Sequence, residues 1–121
     1  YGADVNARDA HTNTPLHAAC MYDSLDSAEL LLDNGADIDA WNQHSTPLHI
    51  AVWQDNFDIA EFLVSRGADT EIRSADDTTP LHIACSKNCL ELVRQLLDQG
   101  ADLEARNNGT TPLHYSAMAN T

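Results

Sequence analysis

Between Thr46 and Gly67 the apolar residues fall into two groups with helical spacing. Leu48, Ala51 and Val52 stand at i, i+3 and i+4, which makes one narrow buried stripe on a short helix. Thr46 is placed to cap that helix, and Pro47 follows at the first helical position, where a missing N–H costs nothing. Asp55-Asn56 then breaks it, since Asp and Asn are the non-glycine residues that best tolerate a left-handed turn. Phe57, Ile59, Ala60, Phe62, Leu63 and Val64 form the apolar side of a second helix, and Gly67 ends it as a C′ cap. Ala68-Asp69 leads into an extended turn before Thr79. The small Ala51 permits close approach of whatever packs on the first helix.

The same pattern returns along the whole chain. Thr-Pro-Leu-His occurs at Thr14–His17, Thr46–His49, Thr79–His82 and Thr111–His114, at intervals of 32, 33 and 32 residues. Gly-Ala-Asp keeps the same beat from Gly2, Gly35, Gly67 and Gly100, and Asp23 and Asn88 repeat the break at Asp55. Each Thr lies 21 residues before the next Gly, whereas the return from Gly to Thr alternates between 12 and 11. Length is therefore fixed in the helix pair and loose in the connection, as expected if helices stack and the connection projects into solvent. Periods of this size predict an array of stacked supersecondary units. The expected units are 14–45, 46–78 and 79–110, preceded by the tail and hairpin of an earlier unit at 1–13 and followed by the first helix of a truncated one at 111–121. Neither end has the polar character of a capping unit, so the chain reads as a segment of a longer array.

Composition narrows the function. Of 121 residues, 43% are hydrophobic but only 6% aromatic, so Leu, Ile, Val and Ala must fill the core. No apolar run approaches the ~18 residues that would span a bilayer. Tyr1 to Asp4 carries no basic or apolar region of a signal peptide. Nineteen acidic residues stand against six basic ones, a net charge of −13. Such a charge repels phosphate backbones and anionic lipid, which disfavours nucleic acid and membrane insertion. It suits a basic protein partner, and it equally serves to keep an elongated protein soluble and monomeric. Cys20, Cys85 and Cys89 have no disulfide spacing; the first two read as small buried hydrophobes, and reduced thiols suit a cytoplasmic or nuclear compartment.

Thr14-Pro15-Leu16-His17-Ala18-Ala19, Thr46 to Ala51 and Thr79 to Ala84 resemble the Thr-Pro-Leu-His-x-Ala signature of the ankyrin repeat. Leu31 to Asp37 and Leu96 to Asp102 resemble the end of its second helix. The resemblance covers essentially the whole chain. It implies an all-α solenoid of helix–turn–helix units joined by β-hairpin-like loops, and a non-enzymatic module that binds proteins on a concave face of inner helices and hairpins. It also implies that each Thr–His pair is structural. The departures are local. Asp or Asn replaces the usual Gly between helices, the usual hairpin Gly survives only as Gly109, two hairpins are one residue short, and the last unit reads Tyr115-Ser116.

No motif for catalysis or cofactor binding stands out, and no cofactor is expected. His17, His49, His82 and His114 recur one unit apart, about 8–10 Å, too far to share a metal ion. Asp76-Asp77 is a paired carboxylate in a loop, where solvation is the commoner role. The informative positions are those the repeat does not require. Residues five past each motif Leu, namely Met21, Trp53, Ser86 and Met118, point about 140° from the buried stripe, and Tyr22, Gln54 and Lys87 follow the first three. Trp41 lies at the base of a hairpin. The candidate partner-binding set is therefore Met21, Tyr22, Trp41, Trp53, Gln54, Lys87 and Met118, with Asp9, Asp76 and Asp77 as steering acids. Trp and Tyr are favoured anchors, and Met adapts to varied shapes. Two readings of Trp53 stand: an anchor for a partner, or a filler that packs on the neighbouring unit. The alternative function is a structural or regulatory spacer within a larger enzyme, channel, toxin or effector.

Overall fold

A computed structural model describes residues 5–102. They form six α-helices, α1 (Pro15–Met21), α2 (Leu25–Asp33), α3 (Pro47–Trp53), α4 (Phe57–Ser65), α5 (Pro80–Ser86) and α6 (Leu90–Asp98), and no strand appears among them. The short α1, α3 and α5 pack side by side as an inner row, and α2, α4 and α6 as an outer row, with each inner helix also packed on the helix that follows it. The architecture is the all-α stack of helix pairs that the periodicity predicts. Residues 111–121 and the fourth Thr-Pro-Leu-His lie outside the described residues.

Each inner helix begins in the same way. Thr14, Thr46 and Thr79 are N-caps in extended conformation, each followed by Pro and closed by a capping box with the His three residues on. Each inner helix ends at a left-handed residue, Asp23 (φ 58°), Asp55 (φ 62°) or Asn88 (φ 57°). The next residue donates its N–H back across the turn, from Ser24 to Ala19 (2.9 Å), Asn56 to Ala51 (2.8 Å) and Cys89 to Ala84 (3.2 Å). The outer helices end on Gly35, Gly67 and Gly100, whose φ of 91–93° few other residues would accept. At the first of these ends Ala36 donates to the Leu31 carbonyl and Gly35 to that of Leu32, and the other two repeat the pattern. Both bonds together satisfy carbonyls that the helix end would leave open.

One continuous core runs through the stack. Leu16, Leu48 and Leu81 are buried with Ala19, Ala51 and Ala84 on the inner row, and Ala28, Ile59, Leu63, Leu92 and Leu96 on the outer. Cys20 and Cys85 sit in it as small apolar residues, and burial pushes the Cys20 thiol up to about 12.

The connections carry an unanticipated ladder. Asn6, Asp39 and Glu71 each stand four residues after a Gly-Ala-Asp glycine. Each side chain accepts from the backbone N–H of the next unit's Asp: Asp37 to Asn6 Oδ1 (2.7 Å), Asp69 to Asp39 Oδ1 (2.9 Å) and Asp102 to Glu71 Oε1 (2.8 Å). Asp37 and Asp69 also fold their own chain, since each accepts from the N–H two residues on.

Beyond the rungs the loops differ with their length. The longer ones close from Asp9 N–H to the Asn13 carbonyl and from Ser74 N–H to that of Thr78, with Thr12 (φ 66°) and Asp77 (φ 63°) left-handed at the tip. The shorter one among the described residues closes from Asn42 N–H to the Ser45 carbonyl and has no left-handed residue. A β-branched residue is strained at positive φ. Thr12→Gly is therefore expected to stabilise the chain by about 1 kcal/mol, measured as a raised melting temperature. A lowered one would show that the threonine side chain contributes more than its backbone costs.

Candidate interaction surface

The residues that follow the inner helices form one row. Tyr22, Gln54 and Lys87 are the C-cap residues of α1, α3 and α5, and all three are exposed, Tyr22 to 75%. Their places are set by the same capping box at one end of a seven-residue helix and the same left-handed turn at the other. Met21, Trp53 and Ser86, one residue earlier, are half-buried, and the first two pack against the core. The Trp53 ring lies 5.7 Å from the His49 ring, tilted by 39°. Lys87 Nζ donates to the Trp53 carbonyl (3.2 Å) and pairs with Asp55 Oδ1 (3.0 Å), so it bridges two units. Trp53 thus has a packing role within its own unit, and its remaining surface lies beside the row.

Trp41 belongs to a different part of the surface. It precedes α3 while Trp53 ends it, and a helix of that length separates its ends by about 10 Å. Its ring is partly exposed, and its carbonyl accepts from Arg8 Nη1, which also donates to the Thr12 carbonyl (3.0 Å). Met118 lies outside the described residues.

Asp9 and Asp77 are engaged in their own loops. Asp9 Oδ1 accepts from the N–H of His11 (2.8 Å) and Asn13 (3.0 Å), and these bonds hold its carboxyl below the usual range. Asp77 pairs with Arg73 (3.3 Å), while Asp76 is exposed and its N–H donates to Ser74 Oγ (3.3 Å). The denser acidic patch lies at the inter-helix turns. Asp23, Asp55 and Asp58 line one cleft there with Asn56 and Phe57, directly beside Tyr22 and Gln54. Arg66, Arg73, Lys87 and Arg94 pair with Asp33, Asp77, Asp55 and Glu91, which leaves the surface strongly anionic.

Among the described residues the motif histidines His17, His49 and His82 are buried. Each Nδ1 accepts the N–H of its capping Thr, at 3.1 Å for His17, 3.4 Å for His49 and 3.3 Å for His82. Nδ1 is then the bare nitrogen, and Nε2–H donates to the next unit's loop, from His17 to the Ser45 carbonyl (3.3 Å) and from His49 to that of Thr78 (2.9 Å). Burial lowers the pKa of both, that of His49 to about 4. These rings tie units together. Among the described residues no group of three or more His, Cys, Asp or Glu side chains could hold a metal ion, and no helix is long and apolar enough to cross a membrane.

Two features escape sequence reasoning. The rungs at Asn6, Asp39 and Glu71 had a visible signal, a polar residue at fixed distance from each glycine, which varies in identity and so hides from motif matching. The engagement of Asp9 with its own loop had none.

A family model described as ankyrin repeats in three copies matches residues 1–76 and 69–121. Among curated proteins, protein fem-1 homolog C of Xenopus laevis is 48% identical over 44 residues, 36% of this chain and 7% of that protein. Its Homo sapiens counterpart is 49% identical over 43 residues, with the same coverage. The Fowlpox virus (strain NVSL) protein FPV233 is 50% identical over 40 residues, 32% of this chain and 8% of that protein. The matched stretch thus spans less than a tenth of each relative's length.

Proposed function

The chain belongs to the ankyrin repeat family, whose members typically serve as non-enzymatic protein-interaction modules, and on that premise we propose that it binds a basic protein segment along the row Tyr22, Gln54 and Lys87. The single observation that carries this reading is the exposure of Tyr22 at the head of the row. A large aromatic side chain is held there by a helix cap, with a half-buried Trp53 in the next unit and the acidic cleft of Asp23, Asp55 and Asp58 alongside. Such an arrangement supplies an anchor on a rigid support with complementary charge beside it. Of the turn acids, Asp55 pairs with Lys87 as Asp77 does with Arg73, so Asp23 and Asp58 are the ones that would offer charge to a partner. Met21, Trp41, Asp76 and Met118 would extend the contact. Three free thiols, two of them buried, suit a reducing cytoplasmic or nuclear setting.

Tyr22→Ala is expected to cut recovery of a basic partner from cell lysate at least tenfold, about 1.4 kcal/mol, with an unchanged melting temperature. Trp53→Ala is expected to lower both, because its ring packs on His49 and the core. Recovery should also fall as salt rises, since screening weakens charge steering. Equal recovery by wild type and Tyr22→Ala would move the site off this row and favour the spacer reading.

A further inference from the structure

Lys87 is the chain's one lysine, and its own contacts show how this row holds an ammonium group. It stands directly after α5 and reaches back one unit. There Nζ donates to the Trp53 carbonyl (3.2 Å) and pairs with Asp55 Oδ1 (3.0 Å). The carbonyl is available because it ends α3, whose last carbonyls have no partner within the helix. The carboxylate is presented by the left-handed residue two positions later. Two separate groups thus converge on one nitrogen, a geometry that suits a compact ammonium better than a planar guanidinium.

The first junction repeats these acceptors. Met21 ends α1 as Trp53 ends α3, and Asp23 stands where Asp55 does. Asp23 is left-handed at φ 58° against 62° for Asp55, and the caps before them, Tyr22 and Gln54, have ψ of 13° and 5°. A carbonyl and a carboxylate are therefore presented alike at both turns. The second unit also lies within reach of the first at this point, since Asn56 Nδ2 donates to the Cys20 carbonyl (2.7 Å), next to that of Met21. The residue placed as Lys87 is, however, Gln54, which is exposed and uncharged. Among the described residues neither the Met21 carbonyl nor the Asp23 carboxylate has a hydrogen-bond or ion-pair partner. In the third unit Asn88 replaces the Asp and supplies no charge.

We infer that the Met21 carbonyl and the Asp23 carboxylate, beside Gln54, receive a lysine side chain of the protein partner, held as Lys87 is held one unit on. This inference rests on the basic partner proposed for the row and fixes where one of its charges sits. Lys87 keeps the second acceptor pair for the chain itself. The row therefore takes a lysine at one junction and repels it at the next, which sets the register of the partner along it.

Hexalysine amide at low salt serves as the probe, read by amide chemical shifts of the nitrogen-labelled chain. The amides of Met21 to Ser24 and of Gln54 should shift together and saturate. Asp23→Asn should weaken this site about tenfold, whereas Asp26→Asn, the same charge change at an exposed residue of α2, should alter it less than about twofold. The turn accepts Asn, since Asn88 holds the same conformation at φ 57°. Two further variants exchange the junctions. Gln54→Lys should seat its own ammonium on Asp23 and abolish the shifts there. Lys87→Gln should release Asp55 and bring a second set of shifts at Trp53 and Asp55. Equal weakening by Asp23→Asn and Asp26→Asn would reduce the effect to overall charge and overturn the subsite. Lys87→Gln with no new shifts at Asp55 would overturn it too, because the model for the contact would then bind nothing. Unchanged lysate recovery by Tyr22→Ala would sink the row as a whole, a failure that these shifts keep distinct from failure of the subsite.

Discussion

At pH 5 the array is expected to be about 2 kcal/mol less stable than at pH 7.5 through His49 alone. The imidazole is buried between α3 and the loop ahead of α5, and burial lowers its pKa from 6.5 to about 4. The neutral ring is also the one its partners need: Nδ1 accepts from Thr46, and Nε2 donates to Thr78. Protonation would set a proton on Nδ1 against the Thr46 N–H. Because the folded pKa lies below the unfolded one, the contribution is complete above pH 6.5 and declines as pH falls toward 4. His17 shifts in the same direction for the same reason and adds to the loss. Carboxylates ionise mostly below this window, so they confuse the reading little. Urea unfolding at the two pH values measures the difference. His49→Gln should be less stable at pH 7.5 and should lose most of the pH dependence. A wild-type curve flat from 7.5 to 5 would mean that the ring opens to water before it protonates. Added salt should leave the effect in place, because burial and not long-range charge causes it.

Leu63→Ala is expected to cost about 3 kcal/mol and to change how the chain unfolds. Leu63 is fully buried in α4, the outer helix of the central pair, and α4 packs on α2, α3 and α6. The deletion leaves a cavity within a unit on which both neighbours rest. In a linear stack each unit is stabilised mainly by the two beside it, so weakening the middle one uncouples the ends. The urea midpoint should fall, and the slope should fall with it or the transition should split in two. Leu30→Ala, at an exposed residue of α2, should cost less than about 1 kcal/mol. Equal losses from the two would mean that Leu30 is covered in solution.

Much of this fold was legible in the sequence because its determinants are local. Thr-Pro at a helix start, Asp or Asn at a sharp turn and Gly at a helix end each act within four residues, and four recurrences in phase remove the ambiguity of any one. Burial of Leu48, Ala51 and Val52 followed from spacing alone. The surface was legible in outline only. Periodicity shows that Tyr22, Gln54 and Lys87 share a row, but not how deep Trp53 sits, since that depends on the His49 ring beside it. Nor does it show that Asp9 and Asp77 spend their carboxylates within their own loops, because a loop acid has the same pattern whether it caps a backbone or faces water. The residues that the repeat leaves free are those whose partners the repeat cannot specify.

The rungs at Asn6, Asp39 and Glu71 separate two kinds of freedom. Each fastens an arm at its root, close to the glycine that ends the helix pair, while the change from twelve to eleven residues occurs further out. A lengthened or shortened tip therefore sends no displacement back into the stack. The exposed positions 10–11, 43–44 and 76–77 are ports at which foreign peptide could be spliced in, while Ser45 and Thr78, whose carbonyls His17 and His49 hold, keep the spacing of the units.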